Sequence, residues 1–177
     1  MREKTPFLAC ENLSVLSVPQ PGIPPPRIWV VRAGRGGKYI DLFRSRSIVA
    51  VPIEFNSHAS RATADTLIAA GYSPGNAPGV AALLRRFALD LEVGEFVISP
   101  VSGQQRHLVG MVASDYRFDL NEDEPRLRHL RDVSWQAEVP ASELPIQLRR
   151  TLGSPMVFYL PAAQGDLRSF LHERGGL

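Results

Sequence analysis

Strand-like and helix-like patterns do not alternate along this chain, and their order limits the folds it can adopt. Residues 28–33 and 47–55 are β-branched and aromatic runs typical of strands, and helical spacing follows over residues 60–70 and 78–91. Strand-like runs return after Gly94. A doubly wound parallel sheet needs regular alternation of strand and helix. The order therefore predicts an α+β fold, a small bent sheet or β-barrel of five or six strands with inserted helices.

A proline-rich stretch separates the N-terminal part of the chain from the predicted domain. Residues 19–27 hold five prolines in nine positions, a composition that favours an extended segment without helix or sheet. We therefore expect residues 1–27 to be a tail or linker and residues 28–162 to form the domain. Residues 163–177 are expected to be a C-terminal helix or tail.

The composition argues against disulfides and cysteine-rich metal sites. Cys10 is the only cysteine among 177 residues, so it can neither staple the fold nor supply paired zinc ligands. No apolar stretch reaches the roughly 18–20 residues of a membrane helix, and the N-terminal residues lack the apolar core of a secretory signal. We therefore expect a cytoplasmic protein with no membrane partner.

The net charge of +2 conceals an uneven distribution. Residues 1–46 carry eight Lys or Arg and three acids, a balance of +5, whereas the rest carry twelve against fifteen, a balance of −3. Clustered cations can bind phosphates, because they release counterions from the nucleic acid. The predicted phosphate-binding residues are Arg35, Lys38, Arg44, Arg46 and Arg106. The alternative is a solvated basic face with no partner.

Sequence motifs for catalysis or cofactor binding are not found. There is no G-x-S-x-G element, and RAGRGGK (32–38) matches neither the Walker A pattern nor G-x-G-x-x-G. The four histidines lack metal-ligand spacing, and the acids within residues 119–124 show no nuclease pattern. We therefore expect no enzyme activity, no metal and no cofactor, and elimination favours a binding module.

Four blocks of the sequence, in order, resemble a known family. They are IWVVRAGRGGKYIDLFRSRSIVAVP (28–52), VGEFVISPVSGQQRHLVGMVASDYRFD (93–119), LRHLRDVSW (127–135) and LPIQLRRTLGSPMVFYL (144–160). Together they resemble the N-terminal PUA/EVE-like domain of Mrr-type modification-dependent restriction proteins, which is similar in plan to SRA and YTH domains. The resemblance covers residues 28–160.

This resemblance implies a non-catalytic DNA-binding module that reads a modified base. The expected ligand is 5-methylcytosine in double-stranded DNA, flipped out of the duplex into a pocket. Because the restriction proteins fuse this domain to a nuclease, a separate nuclease is an expected partner. The chain departs from the family at Pro52 and Ile53, where relatives often carry Gly-Trp. Phe55 is the predicted substitute for that aromatic wall.

Seven residues are predicted to line the modified-base pocket. Aromatic rings stack on a flipped base, and polar groups read its edge. The candidates are Trp29, Arg32, Phe55, Ser99, Tyr116, Phe118 and Trp135.

Each prediction for the pocket has a structural alternative. Trp29 and Trp135 are large enough to be core residues, and the rings of Tyr116 and Phe118 could pack against the inserted helices. Arg32 could form an ion pair with Asp115 or Asp119, since a charge within an apolar strand needs a partner. Two other functions also stay open, an RNA-binding PUA-like module and an unrecognised metal-dependent nuclease.

Overall fold

The computed structural model describes residues 24–173, in which seven strands form a sheet with five α-helices around it. The strands are β1 (Ile28–Val31), β2 (Ile48–Ala50), β3 (Phe96–Val101), β4 (Arg106–Val112), β5 (Arg117–Phe118), β6 (His129–Pro140) and β7 (Phe158–Tyr159). The helices are α1 (Ile40–Arg46), α2 (Ala64–Ala69), α3 (Ala77–Leu89), α4 (Ile146–Leu152) and α5 (Gln164–Glu173). The predicted α+β class, a bent sheet with inserted helices, is confirmed.

The sheet has one strand more than the largest number predicted. The strand-like run at residues 107–119 is divided into β4 and β5 by residues 113–116, with a bend at Ser114. The strand order is β2-β6-β4-β3-β1-β7, and β5 also pairs with β6. Only β1 and β3 are parallel among these pairs.

Strand β6 is the longest strand, and the sheet curls along it. Its first residues pair with β2 and β5, and the stretch from Val133 onward pairs with β4. The register between β4 and β6 shifts between Val109 and Gly110. A Cβ at Gly110 would lie 2.7 Å from the backbone oxygen of Ser134, so only glycine fits where the two strands approach.

The sheet buries apolar side chains on both faces. Along β1, Trp29 and Val31 belong to a first core, whereas Ile28 and Val30 belong to a second core. Helices α1, α2 and α3 cover the first core, and α4 and α5 cover the second. The period of two along a strand explains why one short run serves both cores.

The ends of the predicted domain are only partly described. Most of the predicted N-terminal tail, residues 1–23, lies outside the described residues. At the other end, α5 buries Leu167 and Leu171 in the second core. Within residues 24–173 no helix has the length and apolar character needed to cross a membrane.

Candidate functional site

A fully buried histidine at the start of β6, His129, organises the candidate site. Its Nε2 lies 2.8 Å from the backbone oxygen of Phe55, and its Nδ1 lies 2.8 Å from the hydroxyl of Tyr116. A carbonyl can only accept, so Nε2 carries the ring proton and Nδ1 accepts from the Tyr116 hydroxyl. The Tyr116 oxygen in turn accepts from the amide of Ala59 at 3.1 Å. These bonds fix both the His129 tautomer and the position of Tyr116.

Burial keeps His129 neutral. Removing the ring from water lowers the pKa of His129 from 6.5 to about 4, and the bond to Phe55 only partly opposes this. The neutral form suits the network, because its one donor and one acceptor are both used. Protonation would turn Nδ1 into a donor and break its bond from the Tyr116 hydroxyl.

Aromatic rings surround His129 on several sides. The rings of Phe55 and Tyr116 lie 6.1 Å from it, and that of Phe118 lies at 5.2 Å, all within 30° of parallel. Three of the seven predicted pocket residues therefore come together around a histidine that the sequence analysis did not single out. The alternation of side chains along a strand could have indicated that His129 is buried. His129 and Arg131 lie on the same face of β6 as the buried Val133.

A cavity of about 190 Å³ adjoins this cluster at Tyr116. We call it the Tyr116 cavity; its lining residues are His58, Ala59, Ser60, Arg85, Ala88, Leu89, Asp115, Tyr116 and Arg131. The ring of His58 stands edge-on to that of Tyr116, with 5.0 Å between centroids. Sites for drug-sized ligands measure about 300–1,000 Å³, so this volume suits a single ring system. The cavity combines aromatic rings, an apolar wall and charged groups.

The guanidinium of Arg131 forms part of the cavity wall and is 3% exposed. It donates to three backbone oxygens, those of Phe87 at 3.2 Å, Ala88 at 2.8 Å and Ser114 at 3.2 Å. No carboxylate within residues 24–173 forms an ion pair with it. Burial lowers the pKa of Arg131, while Asp115 acts to raise it. The cation is thus held in place by carbonyls and keeps its charge.

Two further charged side chains of the cavity form no ion pair among the described residues. Arg85, on α3, and Asp115, after β4, form no side-chain hydrogen bond or ion pair with any described residue. A wider, more open groove of about 810 Å³ is lined by Phe55, Arg61 and Tyr72 among others. The Arg61 side chain likewise contacts no acid in the described part of the chain.

Most of the predicted phosphate-binding cations are paired with acids. Arg44 and Arg106 contact Glu138 at 3.0 Å and 3.5 Å, and Arg46 bonds Glu122 at 2.8 Å. Lys38 lies 3.8 Å from Glu124. Arg35 has no side-chain partner among residues 24–173. The acids come from the stretch with the negative balance, so folding neutralises much of the charge that the sequence concentrates in residues 27–46.

Trp29 and Ser99 lie inside the protein, away from the Tyr116 cavity. The Trp29 ring is 1% exposed, stacks on Phe158 at 4.8 Å and donates from Nε1 to Glu95 at 2.8 Å. The Ser99 hydroxyl is fully buried and donates to the backbone oxygen of Val31 at 2.7 Å. A base could reach either side chain only if the core opened.

Trp135 and Arg32 also bond to backbone away from the cavity. The Trp135 Nε1 donates to the Phe43 oxygen at 2.8 Å, which ties β6 to α1. Arg32 donates to the oxygens of Ser154 at 2.7 Å and Leu152 at 3.1 Å, at the end of α4. The alternative considered for Arg32, an ion pair with Asp115 or Asp119, is not formed, because the guanidinium bonds these carbonyls at the helix end instead.

Metal ligands do not gather in the described part of the chain. Among residues 24–173, no group of three or more His, Cys, Asp or Glu side chains is arranged to hold a metal ion.

Comparison with known families gives one match. The family model described as "Domain of unknown function (DUF8426)" matches residues 52–154. The chain belongs to this family. All lining residues of the Tyr116 cavity fall within the part shared with DUF8426, whereas β1, α1 and α5 lie outside it. The family carries no functional description, so the resemblance to Mrr-type proteins stays a prediction.

The chain was also compared with curated proteins and with solved structures. No curated protein matches the chain. A solved structure that is similar to it is the YTH domain of the Zygosaccharomyces rouxii MRB1 protein, in complex with N6-methyladenosine RNA. The identity is 16% and the TM-score 0.43, over 88% of this chain and 93% of that chain.

Proposed function

We propose that this chain is a non-catalytic nucleic-acid-binding module that holds a modified base in the Tyr116 cavity. The observation that carries the proposal is the composition of a cavity sized for one ring system. It brings together two aromatic side chains, an apolar wall and two charged side chains, Arg85 and Asp115, that form no hydrogen bond or ion pair with the described residues. The ligand expected first is 5-methylcytosine flipped out of duplex DNA, which the sequence resemblance implies.

The aromatic side chains supply the main attraction for a flipped base. Flipping costs a few kcal/mol, and base–aromatic stacking returns about 1–3 kcal/mol per base. Tyr116 is held by bonds to His129 and Ala59, so little freedom is lost when a base packs against its ring. His58 is exposed at the rim and offers a second ring.

The apolar wall accounts for a preference for a methylated base. Ala59, Ala88 and Leu89 present only carbon to the cavity through their side chains. One buried methyl group contributes about 0.8 kcal/mol, which corresponds to about fourfold in affinity. Discrimination between methylated and plain cytosine by this wall is therefore expected to be several-fold rather than absolute.

Unpaired arginines near the cavity would contact the phosphates. Arg85 lies at the cavity, and Arg61 follows the segment that carries His58. Cations without a carboxylate partner can neutralise phosphates and displace counterions without first losing an ion pair. These residues, together with Arg35, are better placed for that role than the paired cations of residues 27–46.

Fluorescence anisotropy at one fixed salt concentration tests the proposal. The probes are duplexes with a single 5-methylcytosine, 5-hydroxymethylcytosine or cytosine, and RNA with or without N6-methyladenosine. We expect about fourfold tighter binding of the methylated duplex than of the plain one. Equal weak binding of all probes would leave only electrostatic attraction and contradict the proposal. A preference confined to the modified RNA would support the RNA-binding alternative.

The variant His58→Ala locates the binding site. It removes one stacking ring at the rim, and because stacking acts on methylated and plain cytosine alike, we expect both duplexes to bind several-fold more weakly. The matched control is His172→Ala, an exposed histidine on α5 outside the cavity, which should bind both duplexes as the parent chain does. If both variants bind as the parent chain does, the base lies elsewhere.

The non-catalytic part of the proposal has its own test. The methylated and plain duplexes are incubated with the chain and Mg²⁺ or Mn²⁺ and examined on a denaturing gel. We expect no cleavage. Metal-dependent cleavage that disappears with a chelator would support the nuclease alternative.

A further inference from the structure

The open groove beside the Tyr116 cavity measures about 810 Å³, against about 190 Å³ for the cavity, and the proposed function uses only its Arg61. Its walls are residues 54–57 and Arg61, the end of α2 continued to Tyr72, and Arg126 in the turn before β6. We call it the Tyr72 groove. Ligand sites commonly measure about 300–1,000 Å³, so the groove has room for a whole nucleotide.

One short segment separates the Tyr72 groove from the Tyr116 cavity. Ser57 lines the groove, and the next residue, His58, lines the cavity. At the other end of the segment, Ser60 lines the cavity and the next residue, Arg61, lines the groove. Consecutive Cα atoms are about 3.8 Å apart, so the two spaces adjoin at both points. A strand with one base in the cavity can therefore continue directly into the groove.

Donors outnumber acids along the groove. Arg61 contacts no acid among residues 24–173, and Arg126 lies 3.7 Å from Glu54 in a pair whose side chains are both more than half exposed. Such exposed pairs contribute little to stability, so a phosphate can replace the Glu54 carboxylate at Arg126. Among the described residues of the lining, Glu54 is the only acid. The groove therefore suits an anionic ligand.

Tyr72 supplies an aromatic surface beside these charges. Its hydroxyl donates to the backbone oxygen of Glu54 at 3.4 Å, and its half-buried ring packs against the first core, so the side chain is held in place. Glu54 thus contacts both Tyr72 and Arg126. One nucleotide can therefore place its base on the ring and its phosphate at the guanidinium.

We propose that the Tyr72 groove binds the nucleotide next to the base held in the Tyr116 cavity, with that nucleotide's base on Tyr72 and its phosphate at Arg126. The inference rests on the proposed function and adds a second subsite. It also specifies the form of the nucleic acid, because two neighbouring nucleotides on opposite sides of residues 57–61 cannot both stay paired in a duplex. The preferred ligand is a strand with two adjacent unpaired nucleotides.

Duplexes with one or two unpaired nucleotides test this inference. In the first duplex, 5-methylcytosine lies opposite an abasic site. In the second, a neighbouring thymine also lies opposite an abasic site, in two versions with the thymine on the 5′ or the 3′ side. Every duplex releases 5-methylcytosine without breaking its base pair, and only the second also releases the neighbour. Because unpairing a nucleotide is costly, we expect the full chain to bind one version of the second duplex about tenfold more tightly than the first in anisotropy titrations.

Variants of Tyr72 show whether this gain comes from the groove. A second abasic site also makes the duplex more flexible, but that effect does not depend on Tyr72. Tyr72→Leu keeps apolar bulk against the core and removes the ring, so the two duplexes should bind within about twofold of each other. The matched control is Tyr72→Phe, which keeps the ring and should keep the gain. Urea denaturation confirms that each variant is folded.

The variant Arg126→Ala tests the phosphate contact. One phosphate of an unpaired strand contributes about 0.7 to the slope of log K against log salt. We expect Arg126→Ala to reduce the slope by about this amount for the second duplex and to leave it unchanged for the first. The matched control is Arg149→Ala, an exposed arginine on α4 without an ion pair among the described residues, which should change neither slope.

The outcomes separate this inference from the proposed function. If the parent chain binds the first and second duplexes equally, or if Tyr72→Leu keeps the gain, the groove does not hold the neighbouring nucleotide and the inference is wrong. An unchanged slope in Arg126→Ala contradicts the phosphate contact. The proposed function still stands in these cases if methylated duplex is preferred over plain duplex and His58→Ala weakens both. If Tyr72→Leu removes the gain but methylated and plain duplexes bind equally, the groove subsite is supported and the proposed base preference is wrong.

Discussion

The basic segment of residues 27–46 and the Tyr116 cavity both contain arginines, but these arginines contact different kinds of groups. In the basic segment Arg44 and Arg46 lie at the surface and pair with Glu138 and Glu122. At the cavity Arg131 is buried against backbone oxygens, and Arg85 has no partner in the described part of the chain. Acids thus engage four of the six cations of the segment, whereas no acid forms an ion pair with either arginine of the cavity among the described residues.

This contrast shows what decides whether a cation is free to act. Exposed ion pairs contribute about 0–1 kcal/mol to stability, so they cancel charge with little effect on the fold. A buried guanidinium bonded to carbonyls is part of the structure, and its loss leaves buried acceptors unpaired. The sequence gives the number of cations in a segment. Which of them are free to bind a phosphate depends on the acids that the fold places beside them.

The largest expected effect is on stability, when Arg131 is replaced. In Arg131→Met three hydrogen bonds to carbonyls are lost, one of them buried and two partly buried, and we expect the free energy of unfolding to fall by about 3 kcal/mol. In Arg44→Met an exposed pair is lost, and the expected decrease is about 0.5 kcal/mol or less. Urea denaturation followed by circular dichroism measures both.

Arg131→Lys distinguishes charge from hydrogen bonding in this comparison. Lysine keeps the charge but has no planar fork to reach three carbonyls, so most of the loss should remain. Equal losses for Arg131→Met and Arg44→Met would show that the two regions do not differ in the way the contacts indicate.

Acid should destabilise the cavity region before the basic segment. The pKa of His129 is about 4 in the folded chain against 6.5 ordinarily, so between these values the unfolded chain binds more protons. Stability is therefore full above pH 6.5 and is lost as the pH falls toward 4, by about 2 kcal/mol at pH 5. The bonds from Arg46 lower the pKa of Glu122 below 4.5, so that ion pair survives until the solution is more acidic. Urea midpoints across this pH range measure the loss.

The variant His129→Gln assigns this acid sensitivity to one side chain. Glutamine keeps one donor for Phe55 and one acceptor for Tyr116 but does not titrate. We expect its stability to change much less between pH 6.5 and 4. Burial also lowers the pKa of His107, which will leave a smaller dependence in the same direction. An unchanged pH profile in His129→Gln would move the origin of the effect elsewhere.

The elements of this fold could be predicted from the sequence because their signals are local. Residue periodicity predicts β1 and α3 to within a few residues, and the glycines after β1 take the positive φ angles that end it. The strand-like run at residues 107–119 is interrupted at residues 113–116, with a bend at Ser114, before β5 pairs with β6. No local sequence pattern predicts that bend.

The candidate site was less predictable, because it depends on which distant groups meet. Phe55, Tyr116 and Phe118 come together as aromatic candidates around His129, and Arg131 forms part of the cavity wall, yet both His129 and Arg131 are polar residues in a strand. Their roles follow from contacts with segments 40 or more residues away, such as Phe87 and Phe55. The same holds for the basic segment, whose acids Glu122 and Glu138 are remote in sequence.

The smallest expected effect is on the salt dependence of DNA binding, and it tests the contrast between the two regions directly. If Arg85 neutralises a phosphate, Arg85→Ala should reduce the slope of log K against log salt by about 0.9 and weaken binding of all duplexes alike. Arg44→Ala should leave the slope unchanged, since Glu138 already engages that cation. Anisotropy titrations at several salt concentrations give both slopes. An equal reduction by Arg44→Ala would mean that the basic segment exchanges its carboxylates for phosphates on binding, and charge counted along the sequence would then be the better guide.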